Sequence, residues 1–579
     1  MTIAFRRIAA AGVVLGSLIT SEAALAQAAP ILSDLDRFHP VIAENGMVSS
    51  QEALASQVGV DILKAGGNAI DAGVAVGLAL AVTLPRAGNL GGGGFMLIHK
   101  ADSGETLALD YRELAPARAF RDMFLDDKGE ADSQKSRFSG LAVGVPGTVA
   151  GLYEAHRRFG GGTLNFAQVA APAIRLARNG FPVSEDLANS LESVADSLSQ
   201  DEAARAVFYK TDGSFYRPGE ILRQPDLANT LERIANEGPK AFYEGPVAQA
   251  IAERVTAGGG LMSTDDLAGY QPVWRDAITG TYRGYTVASM PPPSSGGIHI
   301  VEILNMLEPH DLAASGANSA ATIHVMAEAM KRAYADRSEY LGDPDFVKVP
   351  VKALTSKEYA IARMADFDPE KAANSAEIKP GDVVPYESDQ TTHYSVVDKA
   401  GNVVSNTYTL NFSYGVRMMA PGTGVLLNNE LDDFSAKPGV PNAYGLIGGD
   451  ANAVEPRKRP LSSMSPTIVF RDGKPFLVTG SPGGSRIITT VLQIILNVVD
   501  HGMNIAEATA AARIHHQWLP DEIRVEEGIS PDTVRLLESL GHKVAVKDTM
   551  GSTQSVLIAE DGLRGAADPR REGALAVGY

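Results

Sequence analysis

The 579-residue sequence has no cysteine. Disulfides, thiolate metal sites and a cysteine nucleophile are therefore excluded. Positive charge is in deficit: 51 Lys and Arg face 69 Asp and Glu, a formal charge of −18. Such a surface repels nucleic acid and anionic lipid, so neither a nucleic-acid nor a membrane partner is expected. The apolar run from Ile8 to Leu18 is well short of the roughly 20 residues a membrane span needs. With Arg6-Arg7 before it and Ala24-Leu25-Ala26 after it, it has the three regions of a secretory signal. Cleavage after Ala26 is expected, leaving a periplasmic or secreted protein. That cut removes Arg6, Arg7 and Glu22, taking the charge from −18 to −19. No fixed-period repeat is visible, which argues against a solenoid.

What is present is a globular composition, 45% hydrophobic, on a chain long enough for a large core and, by length alone, two to four domains. Ser49-Ser50-Gln51-Glu52 reads as a capping box opening a helix to about Lys64, with Gly66-Gly67 as its stop. Ala69 to Thr83 reads as a buried core helix. Gly91-Gly92-Gly93-Gly94 leads into a central strand, Phe95 to Ile98. No Gly-Lys-Ser/Thr follows, so close strand–helix packing explains these glycines better than a phosphate cradle. Arg112 ends the strand Thr106 to Tyr111, where it is either a surface charge or a bidentate clamp for a carboxylate. Residues 145 to 340 carry helical signals over Pro146–Phe159, Leu164–Arg178, Asp226–Asn236, Pro246–Thr256 and Thr322–Tyr340, interrupted by a strand-like run from Thr279 to Ser289.

The centre of the chain is Asp389-Gln390-Thr391-Thr392-His393-Tyr394-Ser395-Val396-Val397-Asp398. A polar run ends there and an alternating segment begins, so a loop becomes a strand whose first residue is Thr391. Lys399-Ala400-Gly401 predicts a hairpin turn to Asn402–Leu410. That register pairs Val397 with Val403, Ser395 with Ser405, His393 with Thr407 and Thr391 with Thr409, and puts Asn411 on the same side. One face is then polar apart from the valine pair, and the other carries Tyr394, Val396, Val404, Tyr408 and Leu410, suited to packing under helices. The polar face is either solvated or part of a site.

Downstream, Asn428-Asn429-Glu430-Leu431-Asp432-Asp433-Phe434 gathers three carboxylates able to hold an ammonium group or a hard cation. The cation reading lacks the Asp-x-Asp-x-Asp-Gly spacing. Lys437 to Gly449 is a Pro/Gly-rich loop centred on Tyr444, able to act as a lid. Pro466–Arg471 and Pro475–Thr479 form a hairpin through Asp472-Gly473. Its second strand feeds Gly480-Ser481-Pro482-Gly483-Gly484 and an apolar helix, a turn that presents backbone N–H groups to an anion or an oxyanion. His515-His516, read as neighbours on a helix, point apart and are structural rather than a metal pair.

Four motifs together, the Thr391 stretch, Leu461-Ser462-Ser463-Met464-Ser465-Pro466-Thr467, Gly480–Gly484 and Gly88-Asn89-Leu90-Gly91-Gly92-Gly93-Gly94-Phe95, resemble the γ-glutamyltranspeptidase family of N-terminal nucleophile hydrolases over essentially the whole mature chain. The resemblance implies an α+β fold, a four-layer αββα sandwich built jointly by two chains. These arise by self-cleavage at Gln390-Thr391 and span residues 27–390 and 391–579. It implies Thr391 as nucleophile, Thr409 orienting it, and Gly483 and Gly484 as the oxyanion hole. Arg112, Ser462 and Ser463 would hold the substrate α-carboxylate, and Asn411, Glu430 and Asp433 its α-ammonium. Tyr444 would sit on the lid. The expected substrates are glutathione and other γ-glutamyl compounds, the acceptors water, amino acids or dipeptides, with no cofactor and no metal. The alternatives are a glutaryl-type β-lactam acylase and an uncleaved protein that only binds γ-glutamyl ligands.

Overall fold

The computed structural model describes residues 37–379, 391–437 and 449–579. The layering follows from the period-2 alternation of strands. Along Gly93–His99, Met96 and Ile98 enter a core shared with the helices Ala53–Lys64 and Ala69–Thr83, whereas Phe95 and Leu97 enter a second core shared with the other sheet. Both faces of the strand are thus buried. The helices Gly296–Leu307, Ala320–Tyr340 and Arg486–Val499 contribute to that second core from the far side. Helix, sheet, sheet and helix make a four-layer αββα sandwich.

Each sheet has seven strands. The first runs Leu575–Gly578, Gly46–Ser50, Thr392–Asp398, Val403–Thr409, Gly93–His99, Thr106–Tyr111, Val273–Asp276. The second runs Val41–Ala43, Gly562–Ala567, Gln554–Ala559, Lys474–Thr479, Thr467–Arg471, Tyr285–Ser289, Ile278–Tyr282. Strands from before and after residue 390 therefore interleave in both sheets.

The central hairpin adopts the register its sequence predicts, with Val397 opposite Val403, Ser395 opposite Ser405 and His393 opposite Thr407. The strand begins at Thr392, which leaves Thr391 at its mouth. The outer face packs under helices: the Tyr408 hydroxyl donates to the Gly77 carbonyl of Ala69–Thr83 at 2.9 Å. The polar face is not solvated. It lies against the second sheet, where Ser395 Oγ donates to the Gln554 carbonyl at 2.8 Å and Ser405 Oγ to the Thr479 carbonyl at 3.1 Å. His393 sits between Thr407 Oγ1 (2.8 Å) and Ser395 Oγ (3.1 Å), and burial pulls its pKa down to about 3, so the ring is neutral.

Four local expectations change. Ser49 and Ser50 belong to the strand Gly46–Ser50, so they form no capping box; the cap is Glu52, whose carboxylate accepts from the Leu54 and Ala55 N–H groups at 3.1 and 2.9 Å. Thr279–Ser289 is two strands, because Arg283 and Gly284 take φ of 51° and 85° and turn the chain back. The glycines 91–94 serve backbone approach between strands rather than strand–helix packing. A Cβ on Gly92 would lie 2.0 Å from the Thr409 carbonyl oxygen, and one on Gly94 2.4 Å from Tyr408 Cβ. His515 ends a short strand, not a helix turn; it and His516 are buried against Thr489 (2.9 Å) and Asp521 (3.2 Å) respectively.

Candidate active site

At the mouth of the central hairpin, Arg112, Thr391, Thr409, Asn411, Glu430, Asp433, Ser462 and Ser463 line one cleft, joined by Met464 and Ile487. The enclosed cavity is about 10 Å³, about the space of one water molecule. Three chain segments build it. Thr391 and Thr409 are the open end of the hairpin, and the Thr409 hydroxyl accepts the Asn411 N–H at 2.8 Å. That bond accompanies a left-handed Asn411, φ 73°, a conformation asparagine tolerates better than most residues. Asn411 Nδ2 in turn donates to the Asn429 carbonyl at 2.9 Å, tying the hairpin to the acidic segment.

That segment is a short 3₁₀ turn, Glu430–Asp433. It separates the three carboxylates that looked equivalent in sequence. Glu430 and Asp433 face Arg112, whereas Asp432 turns to Ser136 and Arg137 (3.5 Å from the Arg137 Nε). A guanidinium between two of the acids is incompatible with a cation held by all three. Arg112 itself is buried, not a surface charge. Its Nη1 donates to Glu430, its Nη2 to Asp433 and to the Leu461 carbonyl (3.0 Å), and its Nε to the Pro460 carbonyl (3.2 Å).

The serine segment is pinned by its backbone. The Ser462 N–H donates to the Pro293 carbonyl at 2.8 Å, and the Ser462 carbonyl accepts from the Ser295 N–H at 2.7 Å. Asn452 links this segment to the acidic one, donating to the Asp433 carbonyl at 2.7 Å and accepting from the Leu461 N–H at 3.0 Å. Three buried atoms of the cleft residues, Asn411 Oδ1, Glu430 Oε2 and Ser463 Oγ, have no hydrogen-bond partner among the described residues. Native interiors rarely leave such atoms unsatisfied, so the arrangement suits a polar ligand.

Charge points the same way. Sequence reasoning missed Glu113, which is fully buried with its nearer oxygen 3.9 Å from Arg112 Nη1 and neither oxygen hydrogen-bonded among the described residues. One guanidinium thus faces three carboxyls. Burial, opposed by Arg112, raises Glu113 to about 8. Burial also lifts Glu430 well above the usual carboxylate range; Arg112 opposes the rise, and the charges of Glu113 and Asp433 add to it. The one sequence signal for Glu113 was its position directly after a strand-end arginine.

Gly483 and Gly484 are not in the cleft lining. They form the turn between the strand Lys474–Thr479 and the helix Arg486–Val499, whose Ile487 does line it. Their φ values of 135° and 60° demand glycine. Neither N–H donates to an acceptor among the described residues. The Tyr334 hydroxyl donates to the next carbonyl, Ser485, and steadies the turn. Tyr444 and Gln390 lie outside the described residues.

A threonine opening a central strand, between two facing sheets clad in helices, marks the N-terminal nucleophile hydrolase class, and solved structures place the fold there. A cephalosporin acylase from Bacillus halodurans superposes with a TM-score of 0.83 at 29% identity, covering 94% of this chain and 97% of that one. Helicobacter pylori gamma-glutamyltranspeptidase superposes with a TM-score of 0.56 at 44% identity, over 60% of this chain and 97% of that one. Residues 55–578 match the family model for gamma-glutamyltranspeptidase. A glutathione hydrolase proenzyme of Escherichia coli is 59% identical over 99% of both chains. The chain is an enzyme of the γ-glutamyltranspeptidase family.

Proposed function

We propose that the protein cleaves itself between Gln390 and Thr391 and then transfers γ-glutamyl groups from glutathione and related compounds to water or to an amine. The observation that carries this reading is the meeting, in one cleft, of Thr391 with Arg112, Ser462 and Ser463 and with Asn411, Glu430 and Asp433. A γ-glutamyl head carries an α-carboxylate and an α-ammonium, and these two groups of residues match that pair of charges.

In the self-cleavage, Thr391 Oγ attacks the Gln390 carbonyl, the peptide C–N bond breaks as the ester forms and so frees the Thr391 α-amine, and water then hydrolyses the ester to leave the Gln390 carboxylate and restore the Thr391 hydroxyl. The large chain is then 27–390 and the small one 391–579. Their interleaved strands keep them together as a heterodimer. The new amine, with an ordinary pKa of roughly 8, takes the proton of Thr391 Oγ as the hydroxyl attacks the substrate γ-carbonyl. Thr409 orients the hydroxyl, and the N–H groups of Gly483 and Gly484 receive the oxyanion, a contact whose loss costs on the order of 100-fold in rate. Arg112 exchanges Glu430 and Asp433 for the substrate carboxylate, which releases both acids to the ammonium. The amine of the donor leaves, and water or an acceptor amine resolves the γ-glutamyl ester.

The N-terminal signal supports export to the periplasm or beyond. Among the described residues no helix is long and apolar enough to cross a membrane. A glutaryl-type acylase needs no ammonium pocket, and the presence of Asn411, Glu430 and Asp433 favours the glutamyl substrate. Mass spectrometry of purified protein tests the reading: two chains are expected, the shorter beginning at Thr391, and a single chain for Thr391→Ala with no turnover of a γ-glutamyl anilide. Wild-type protein that stays in one piece yet hydrolyses the anilide refutes the mechanism. One intact chain that binds without hydrolysis supports a ligand-binding protein instead.

A further inference from the structure

Beside the cleft, the chain from Asn411 to Arg417 is held in an unusual conformation. Asn411, Tyr414 and Arg417 all take left-handed φ, at 73°, 63° and 60°. Three such non-glycine residues within seven are costly, and such strain persists where surrounding structure enforces it, most often at functional sites. Here it sets the side chain of Arg417 against the ring of Phe138, with the guanidinium carbon 5.1 Å from the ring centroid. Both residues line a cavity of about 480 Å³ with Ser197, Gln200, Asp201 and Arg254.

The electrostatics of this cavity are unbalanced in the direction opposite to the cleft. Its one lining carboxylate, Asp201, is already paired with Arg254 at 2.7 Å. Arg417 has no carboxylate partner among the described residues, and its guanidinium donates to a single acceptor there, Ser197 Oγ; its buried Nε has none. An unmatched guanidinium on a protein of net charge −18 is a recognition element for a carboxylate, which it binds with planar, charge-assisted geometry. Phe138, 36% exposed, adds an apolar surface next to it.

The cavity is also tied to the cleft. Asn429 accepts the Phe412 N–H at 3.0 Å and donates to the Arg137 carbonyl at 3.1 Å, while its own carbonyl accepts Asn411 Nδ2 at 2.9 Å. One residue therefore joins the ammonium side of the cleft to the segment carrying Phe138. The Phe138 and Phe412 rings stand 6.2 Å apart between the two.

We propose that Arg417 and Phe138 form an acceptor subsite that takes the terminal carboxylate of a dipeptide, either the attacking acceptor or the leaving half of a γ-glutamyl tripeptide. This deepens, and rests on, the transfer reaction proposed above. The cleft residues recognise the glutamyl head, and Arg417 makes the enzyme prefer acceptors ending in a free acid.

The test compares two acceptors, a dipeptide and the same dipeptide amidated at its C-terminus, in competition for the same acyl-enzyme. The readout is the ratio of their kcat/KM values, which cancels any loss of folding or processing because both acceptors meet the same enzyme. Wild-type protein is expected to favour the free acid. Arg417→Gln should lower that preference about tenfold or more, the worth of one charge-assisted hydrogen bond, and Arg417→Lys should fall between the two. A ratio within twofold of wild type in Arg417→Gln, with transfer still measurable, overturns the subsite and leaves the transfer reaction standing. If wild-type protein transfers to neither acceptor, the transfer reaction fails and the subsite with it.

Discussion

Two buried charge clusters in this molecule invite comparison. Around Arg513, two guanidiniums meet two carboxylates, those of Asp568 and Glu526, with Arg570 as the second cation. Every carboxylate oxygen there accepts a hydrogen bond: Asp568 from Thr553 N–H (2.8 Å) and Arg570 N–H (3.0 Å), Glu526 from Arg513 N–H (3.0 Å) and Arg570 Nε (3.0 Å). Although burial works against it, Asp568 is held below the usual carboxylate range by Arg513 and Arg570. Around Arg112 one guanidinium meets three carboxyls, Glu113 and Glu430 are pushed up, and acceptor oxygens are left over. In the first cluster the chain alone satisfies every carboxylate oxygen, with only the Arg513 Nε lacking an acceptor among the described residues. The second leaves acceptors open, and in the function proposed above the carboxylate and ammonium of the substrate complete it, which would separate a site from a structural charge network.

The difference predicts opposite phenotypes. Arg112→Gln is expected to lower kcat/KM for a γ-glutamyl anilide by about 100- to 1000-fold, because it strands the acids and removes the carboxylate grip. A loss under tenfold places that grip elsewhere. Asp568→Asn is expected to cost about 3 kcal/mol in denaturant unfolding by stranding Arg513, while the donor KM of the folded protein stays within twofold. A donor KM that rises as steeply as in Arg112→Gln erases the distinction between the clusters.

Sequence legibility followed interaction range. The hairpin register was readable because a three-residue turn and a period of two settle which residues face each other, as the pairs from Val397/Val403 to His393/Thr407 show. What covers each face was not readable, so the buried contact of Ser395 with Gln554 could not be told from a solvated edge. Helix positions such as Ala69–Thr83 came from almost wholly apolar patterning. The cleft residues were named through motif resemblance. The pairing of Arg112 with Glu430, 318 positions apart, and the strained Arg417 had no local signal, and Glu113 had only its place after a strand-end arginine. Spacing also failed to distinguish Asp432 from its neighbours, since a 3₁₀ turn sends adjacent side chains in different directions.

The unfinished cluster should betray itself in pH dependence. Glu113 has a folded pKa raised to about 8 from an ordinary 4.5. Its burial as the neutral acid is therefore fully tolerated below pH 4.5, and stability is lost as pH rises from there through 8, because the unfolded chain releases the proton first. Glu113→Gln removes that titration. Its stability relative to wild type is expected to improve between pH 5 and pH 9 by on the order of 2 kcal/mol, read from denaturant midpoints. A wild-type/variant difference that does not change with pH shows that Glu113 is ionised in the fold.

Glu430→Gln is expected to have the smallest effect, and its pH profile is the informative part. The raised pKa of Glu430 keeps much of it protonated in the free enzyme, so at low pH a glutamine replaces a group that is already neutral. At higher pH, wild-type Glu430 carries a charge that pairs with the substrate ammonium and the variant does not. The donor KM of the variant should then exceed that of wild type by about fivefold at most, a difference of roughly 1 kcal/mol, and the gap should widen as pH is raised across the range in which the protein stays folded. A gap that stays constant over this range means that Glu430 is ionised throughout, with Arg112 as its permanent partner.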